Sequence, residues 1–348
     1  MNVGYVYDSI YLRHDTGQHP ENAHRLEAII SHLEETGLKP RLSFIKPRAA
    51  TTEEILLVHH EHLLAHIQAM AKRGGGWLDA DTVMSSDSYQ AALYAAGGLI
   101  TAAEVIWSEG GSAFALVRPP GHHATATQAM GFCLFNNIAI ATKYALNKFK
   151  LERIAIIDFD VHHGNGTQGT FYDDPRVLYV STHEFPLYPG TGGIDETGSG
   201  DGRGTTVNIP LPAGSGDGEY LGVFEQIIVP IVKRFSPQLI LVSAGYDGHW
   251  SDNLALMEVS ITGFARMAGI IKELADELCG GRVVFTLEGG YNLTALAASV
   301  KAAFDVLLGN TNIQDPLGES QARFKLRAYG APDITSLVES IKVLHNLP

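Results

Sequence analysis

Cysteine is almost missing from this chain. Cys133 and Cys279 are the only two among 348 residues. Two thiols cannot build the disulfide framework that staples small secreted folds, so the chain reads as a cytoplasmic protein from a reducing compartment. Positive charge is scarce too. Lys and Arg number 25 against 38 Asp and Glu, a formal net charge of −13. Gripping a nucleic-acid backbone needs the opposite balance, which argues against it as the main role. No apolar run approaches the roughly 20 residues needed to cross a bilayer, so no membrane partner is expected. The opening Met-Asn-Val-Gly-Tyr-Val-Tyr-Asp has no basic stretch leading into an apolar one and does not read as a signal peptide. Repeats of roughly 20 to 50 residues are absent, as are low-complexity tracts. What remains is 45% hydrophobic and 18% charged, enough to build a sizeable core.

The pattern of that apolar material alternates. Short apolar runs at 3–7, 113–117, 153–158, 177–181, 238–243 and 282–287 read as strands. Helical spacing fills 23–35, 61–72, 87–107, 136–149, 218–235, 260–278 and 293–308, with a capped helix start at Thr51 to Ile55. Strands separated by helices predict an α/β fold: one domain with an open parallel sheet and helices on both faces. Residues 184–217 are rich in Gly and Pro and read as a long active-site loop. No linker divides the chain. Residues 1–310 form the domain, and 311–348 form a C-terminal tail whose helix, capped by Asp333, packs on it.

Four apolar runs end in chemistry-bearing residues. Arg153 to Ile157 leads into Asp158-Phe159-Asp160-Val161-His162-His163. Alternation along a strand puts Asp158, Asp160 and His162 on one face. Carboxylates and an imidazole converging there are costly unless a metal or a hydrogen-bond network satisfies them, and Asp and His are zinc-type or iron-type ligands. The other three runs lead into Gly121-His122-His123, Ala244-Gly245-Tyr246-Asp247 and Glu288-Gly289-Gly290-Tyr291. Parallel strands bring these ends to one edge, where open α/β sheets place their sites. Taken singly, Asp247 would be a helix cap, Gly289-Gly290-Tyr291 a turn and His122-His123 a structural pair. Four together point to one cleft. His59, His60, His62 and His66 form a separate group that reads as surface or packing.

These segments resemble the zinc-dependent histone deacetylase and acetylpolyamine amidohydrolase superfamily. The resemblance spans about residues 3 to 308 and includes His19-Pro20-Glu21, Pro119 to His123, Gly131-Phe132-Cys133, Asp158 to Gly166, Pro189 to Gly192, and the Asp247 and Tyr291 motifs. Asn165 with the following Gly-Thr-Gln is similar to the class II branch and its bacterial relatives. The resemblance implies that Asp160, His162 and Asp247 bind one Zn2+, with Fe2+ or Co2+ able to substitute. It implies His123 as general base oriented by Asn165, His122 as a more cationic partner held by Asp158, and Tyr291 as donor to the oxyanion. A neutral Asn partner suggests a base near neutral pH. Gly131, Phe132, Tyr188 and Leu254 would line a narrow substrate tunnel, with Asp252 and Glu258 as candidate acidic gates. Structural K+ around 158–162 and 171–182 is common in the family.

The implied substrate is an acetylated lysine peptide or a small acylated amine, including an acetylpolyamine. A homo-oligomer is compatible with all of this. Two rivals remain. An arginase-type two-metal ureohydrolase shares the fold, but it needs a paired Asp where Asp247 is followed by Gly248-His249. A non-catalytic acyl-lysine binding module would be signalled by loss of Tyr291 or of a ligand, and neither is lost.

Overall fold

The computed structural model describes residues 3–318, 320 and 332–348. Its centre is an eight-stranded sheet, all parallel: β1 (Val3–Val6), β2 (Ser43–Ile45), β5 (Ser112–Ala115), β6 (Ile154–Asp158), β7 (Val177–Glu184), β8 (Thr206–Leu211), β9 (Leu239–Ala244) and β10 (Val283–Leu287). The order is β2-β1-β5-β10-β9-β6-β7-β8. Strands β3 (Gly75–Trp77) and β4 (Val83–Ser85) form a separate antiparallel pair. The middle strands are buried along their whole length. That is why they read as unbroken apolar runs rather than alternating ones.

The order positions the site. Strands β5 and β6 follow one another in the chain but are separated in the sheet, and β10 and β9 later fill the gap. Four strand ends that are distant in sequence thus stand side by side. Register adds precision, since Asp158 pairs with both Ser181 and Ser243.

Helices cover the sheet: α1 (His24–Glu35), α2 (Thr52–Ile55), α3 (Glu61–Lys72), α4 (Ser88–Glu109), α5 (Asn137–Lys148), α6 (Asn165–Phe171), α7 (Asp217–Val223), α8 (Val229–Phe235), α9 (Ile261–Leu278) and α10 (Leu293–Leu307). The capping box at Thr51 is present, with Thr51 and Glu54 satisfying each other's backbone N–H groups. In the tail, α11 (Thr335–Leu344) buries Val338 and Ile341, and Asp333 accepts from Thr335 N at 2.9 Å.

The structure corrects several expectations. Residues 184–217 are not one loop, because β8 runs through them. Among the described residues it is an edge strand pairing only with β7, and the glycines before it hide its pattern. The short β2 and the β3–β4 pair escaped prediction because three residues carry too little periodicity. Helix 218–235 is broken by a π-helical turn, Phe224–Ile228. Helix α4, 22 residues long, is long and apolar enough to cross a membrane by length and composition, but 67% of its most apolar stretch is buried within the fold.

His59 precedes α3 and is 2% exposed. Its Nε2 accepts from Asn136 N at 2.8 Å, which leaves Nδ1 to donate to Thr125 O at 2.9 Å. Burial holds this neutral imidazole down to about 4. The unfolded chain takes up a proton near 6.5, so stability is complete above that pH and declines as pH falls towards 4. Between pH 7 and pH 5, wild type should lose about 2 kcal/mol more in urea unfolding than His59→Gln. Equal losses would show that His59 is not the titrating group.

Candidate active site

The loop after β6 starts the site. Asp158 closes that strand and is fully buried. It accepts from Tyr179 OH at 3.0 Å and from His122 Nδ1 at 3.1 Å. Two residues on, Asp160 Oδ1 accepts from His162 N at 2.9 Å, and Oδ2 accepts from Gly289 N at 2.7 Å. Asp247, after β9, accepts from Val161 N at 3.2 Å through Oδ1. Its Oδ2 is buried with no hydrogen bond and lies 3.2 Å from His162 Nδ1. Asp160, His162 and Asp247 each bring a ligand-type atom within 4.8 Å of the others.

This arrangement has the character of a cation site. Burial and the charge of Asp160 push Asp247 up to about 6. Burial alone would lower His162, but the two flanking carboxylates outweigh it and push the imidazole up to about 10. Two buried carboxylates with one uncommitted oxygen call for a positive charge between them. The donor set of two oxygens and one imidazole nitrogen suits a divalent ion with positions left open. Gly289 makes the room. A Cβ there would clash with Asp247 Oδ2 and lie 2.7 Å from Asp160 Oδ2. Gly289→Ala should therefore cost about 1–3 kcal/mol by overpacking and lower the bound metal per chain. Full metal content by elemental analysis would show that the crowding is relieved elsewhere.

The two histidines after β5 differ sharply. Burial opposes charge on His122, but Asp160 and Asp158 overcome it and push it up to about 10. His123 is held below the ordinary imidazole value by burial and then by its cationic neighbours. Its Nδ1 faces Asn165 Oδ1 at 2.8 Å, so Nδ1–H donates and Nε2 is the free acceptor. The expected near-neutral base is thus a weaker base than foreseen. The Asn165 bond raises its pKa, but burial and the adjacent imidazoliums prevail.

A cavity of about 190 Å³ lies over these groups. His122, His123, His162, Gly289 and Tyr291 line it, as do Gly131, Phe132, Tyr188 and Leu254. Phe132 adopts a left-handed φ of 68° and sets its ring edge-on to Tyr291 at 5.8 Å and to His19 at 4.4 Å. Its N–H donates to Thr82 Oγ1 at 3.1 Å. Such a backbone is unfavourable for a bulky residue and persists only where the surroundings enforce it. Tyr188 stands edge-on to His123 at 5.1 Å. Burial, and then Asp247, raise the Tyr291 hydroxyl well above its ordinary value, so it stays protonated and able to donate.

Asp81, Pro120 and Leu187 also line the cavity, and none of the three was expected there from the sequence. The supports behind it were not foreseen in that role either, although Glu288 stands in one of the strand-end motifs. Glu288, pushed up to about 7 by burial, accepts from Gly121 N at 2.7 Å, His122 N at 3.2 Å and Ser243 Oγ at 3.1 Å. Its position at the end of an apolar run was the same signal that exposed Asp158. Arg25 donates to Gly290 O at 2.7 Å and Glu288 O at 2.5 Å, and its guanidinium lies 5.1 Å from the Tyr291 ring centre. Nothing in the sequence around Arg25 announces this contact, which joins residues more than 260 apart. The gate expectation is corrected. Asp252 and Glu258 are 1% and 4% exposed and do not line the cavity. Elsewhere, His62 and His66 are exposed on α3, and Cys133 and Cys279 are buried and free.

Fold and site together define a class: a parallel α/β enzyme domain whose strand ends hold an Asp-His-Asp cation trio beside a histidine pair and a tyrosine. Comparison with known proteins places the chain within that class. Residues 19–307 match the histone deacetylase domain. A probable deacetylase of Archaeoglobus fulgidus is 44% identical over 297 residues, 84% of this chain and 82% of that protein. The chloroplastic histone deacetylase 14 of Arabidopsis thaliana is 44% identical over 323 residues, 88% of this chain and 76% of that one. The crystal structure of the HDA15 HD domain matches with a TM-score of 0.86 at 34% identity, covering 98% and 95% of the two chains. The chain belongs to the histone deacetylase family and is a hydrolase.

Proposed function

We propose that the protein hydrolyses the acetyl amide of an acyl-lysine side chain. The observation that carries this reading is one cavity lined by His123, Tyr291 and His162 together with the aromatic rings of Phe132 and Tyr188. A slot of about 190 Å³ suits an aliphatic stem, and its polar groups meet where the amide would sit. Asp160, His162 and Asp247 would hold a single Zn2+, or Fe2+ or Co2+ in its place. When bound, the ion acidifies water and polarises the amide carbonyl.

The chain's own groups do the rest. The Nε2 of His123 takes the proton from the attacking water and returns it to the leaving amine. Asn165 keeps that nitrogen free by accepting from Nδ1. His122, cationic against Asp158, lowers the energy of negative charge developing beside it. The Tyr291 hydroxyl donates to the oxyanion. Potassium near 158–162 and 171–182 and a cytoplasmic location belong to the same reading, carried over from the family and from the cysteine count. An acetylated polyamine is the second reading, favoured by Asp81, a carboxylate lining the cavity that could receive a distal ammonium.

The test is deacetylation of an acetyl-lysine reporter by protein stripped with chelator and reloaded with zinc. Activity should return with zinc and fall about a hundredfold in Tyr291→Phe, the scale of one lost oxyanion donor. Near-normal turnover in that variant would remove Tyr291 from the mechanism. A zinc-loaded protein inert on acetyl-lysine but active on acetylpolyamines would select the second reading.

A further inference from the structure

We infer that Asp252 is a positioning residue for Tyr291, holding that side chain in its reactive place by fixing the backbone beneath it; this rests on the function proposed above. Asp252 is 1% exposed. Its Oδ2 accepts two consecutive N–H groups, Tyr291 N at 2.6 Å and Asn292 N at 3.0 Å. Its Oδ1 accepts from Leu254 N at 3.0 Å. One buried carboxylate therefore ties together two segments that each supply a cavity-lining residue, Tyr291 and Leu254. A neighbouring bond adds a second stitch, from Asn292 Nδ2 to Ser251 O at 3.2 Å.

Helix capping does not account for this. Helix α10 begins at Leu293, and its first turn is already capped by Asn292, whose Oδ1 accepts from Ala295 N at 3.1 Å. The groups that Asp252 engages precede the helix. They belong to the loop carrying Tyr291 out of Gly289-Gly290, where Gly290 has a φ of +115°. Such a loop can pivot, because glycine leaves the backbone few steric limits. Hydrogen bonds to an ionised acceptor are short and about twice as strong as neutral ones, so a carboxylate is a good clamp for it. An oxyanion donor works only while held to the place where charge develops, and a shift of about 1 Å can cost about a hundredfold in rate.

Asp252→Ala should lower kcat about ten- to hundredfold, leave KM within about twofold, and retain full metal content. Asp252→Asn keeps the shape and one oxygen acceptor and should fall between the two; it also serves if the alanine variant does not fold. The decisive comparison is made in the Tyr291→Phe background. With the hydroxyl already gone, removing its support should cost less than about threefold more. Full multiplication of the two losses, metal lost in parallel, or wild-type kcat in Asp252→Ala would each overturn the inference while leaving the amidase reading intact. A zinc-loaded wild type inert on both acetyl-lysine and acetylpolyamines would instead sink that reading. Amide hydrogen exchange over residues 288–293 needs no turnover and decides the positioning role in either case. Exchange there should quicken in Asp252→Ala, and unchanged protection would refute the clamp.

Discussion

Replacing His123 by alanine should lower turnover about a thousandfold while the protein keeps its metal. Proton transfer by a placed side chain contributes roughly 10²–10⁴-fold, and no neighbouring group is set to replace it. His122 lies next to it, ring centre to ring centre 4.0 Å, but is cationic and already directed at Asp158. His123 stands outside the Asp160-His162-Asp247 trio, so its loss should leave metal content stoichiometric. Elemental analysis beside kinetics checks this. Metal falling in step with rate would make His123 a ligand, and unaltered turnover would assign the proton transfer elsewhere.

Asp247→Ala should reduce activity to background through a different failure: the protein should no longer hold one tight divalent ion per chain. The remaining Asp160 and His162 offer too few donors for a closed grip on the ion. Stability should report the same event. A bound ion stabilises the folded state by mass action, so chelation should lower the melting temperature of wild type. The same chelator should leave Asp247→Ala unmoved. Stoichiometric zinc in the variant after gel filtration would place the third ligand on another residue.

Much of this site could be read before any coordinates, for a local reason. Asp158, Asp160 and His162 fall at alternate positions, a period of two that draws attention to them, although β6 stops at Asp158 and the loop after it carries Asp160 and His162. The His122-His123, Asp247 and Tyr291 segments each follow an apolar run that ends abruptly. Each run is a strand buried on both faces, and it stays apolar until its end leaves the sheet. What the pattern missed was either short or remote. Strand β8 at the sheet edge was lost among glycines. Glu258 seemed a gate by its nearness in sequence to Asp247, yet the fold buries it. Asp252 seemed another, and the fold instead turns its carboxylate onto the loop of Tyr291.

The amino-acid sequence by itself determined the α/β class, the strand ends that carry chemistry, and the metal, base and oxyanion-donor candidates. The class and the strand ends are written in periodicity and residue type within a few positions, and the metal, base and oxyanion-donor roles are what the family resemblance of those segments implies. Only the tertiary structure decided which residues stand behind them. Glu288 under the His122 backbone, Arg25 beneath Tyr291 and Asp252 against its amide are contacts across 39 to 265 positions. They exist because β9 and β10 return to fill the gap between β5 and β6. Only the tertiary structure, too, set the protonation of the two adjacent histidines. Burial disfavours charge on both, and they diverge because Asp160 and Asp158 outweigh it at His122 whereas cationic neighbours add to it at His123. Charge and burial are properties of the assembled neighbourhood, and no local stretch of sequence contains them.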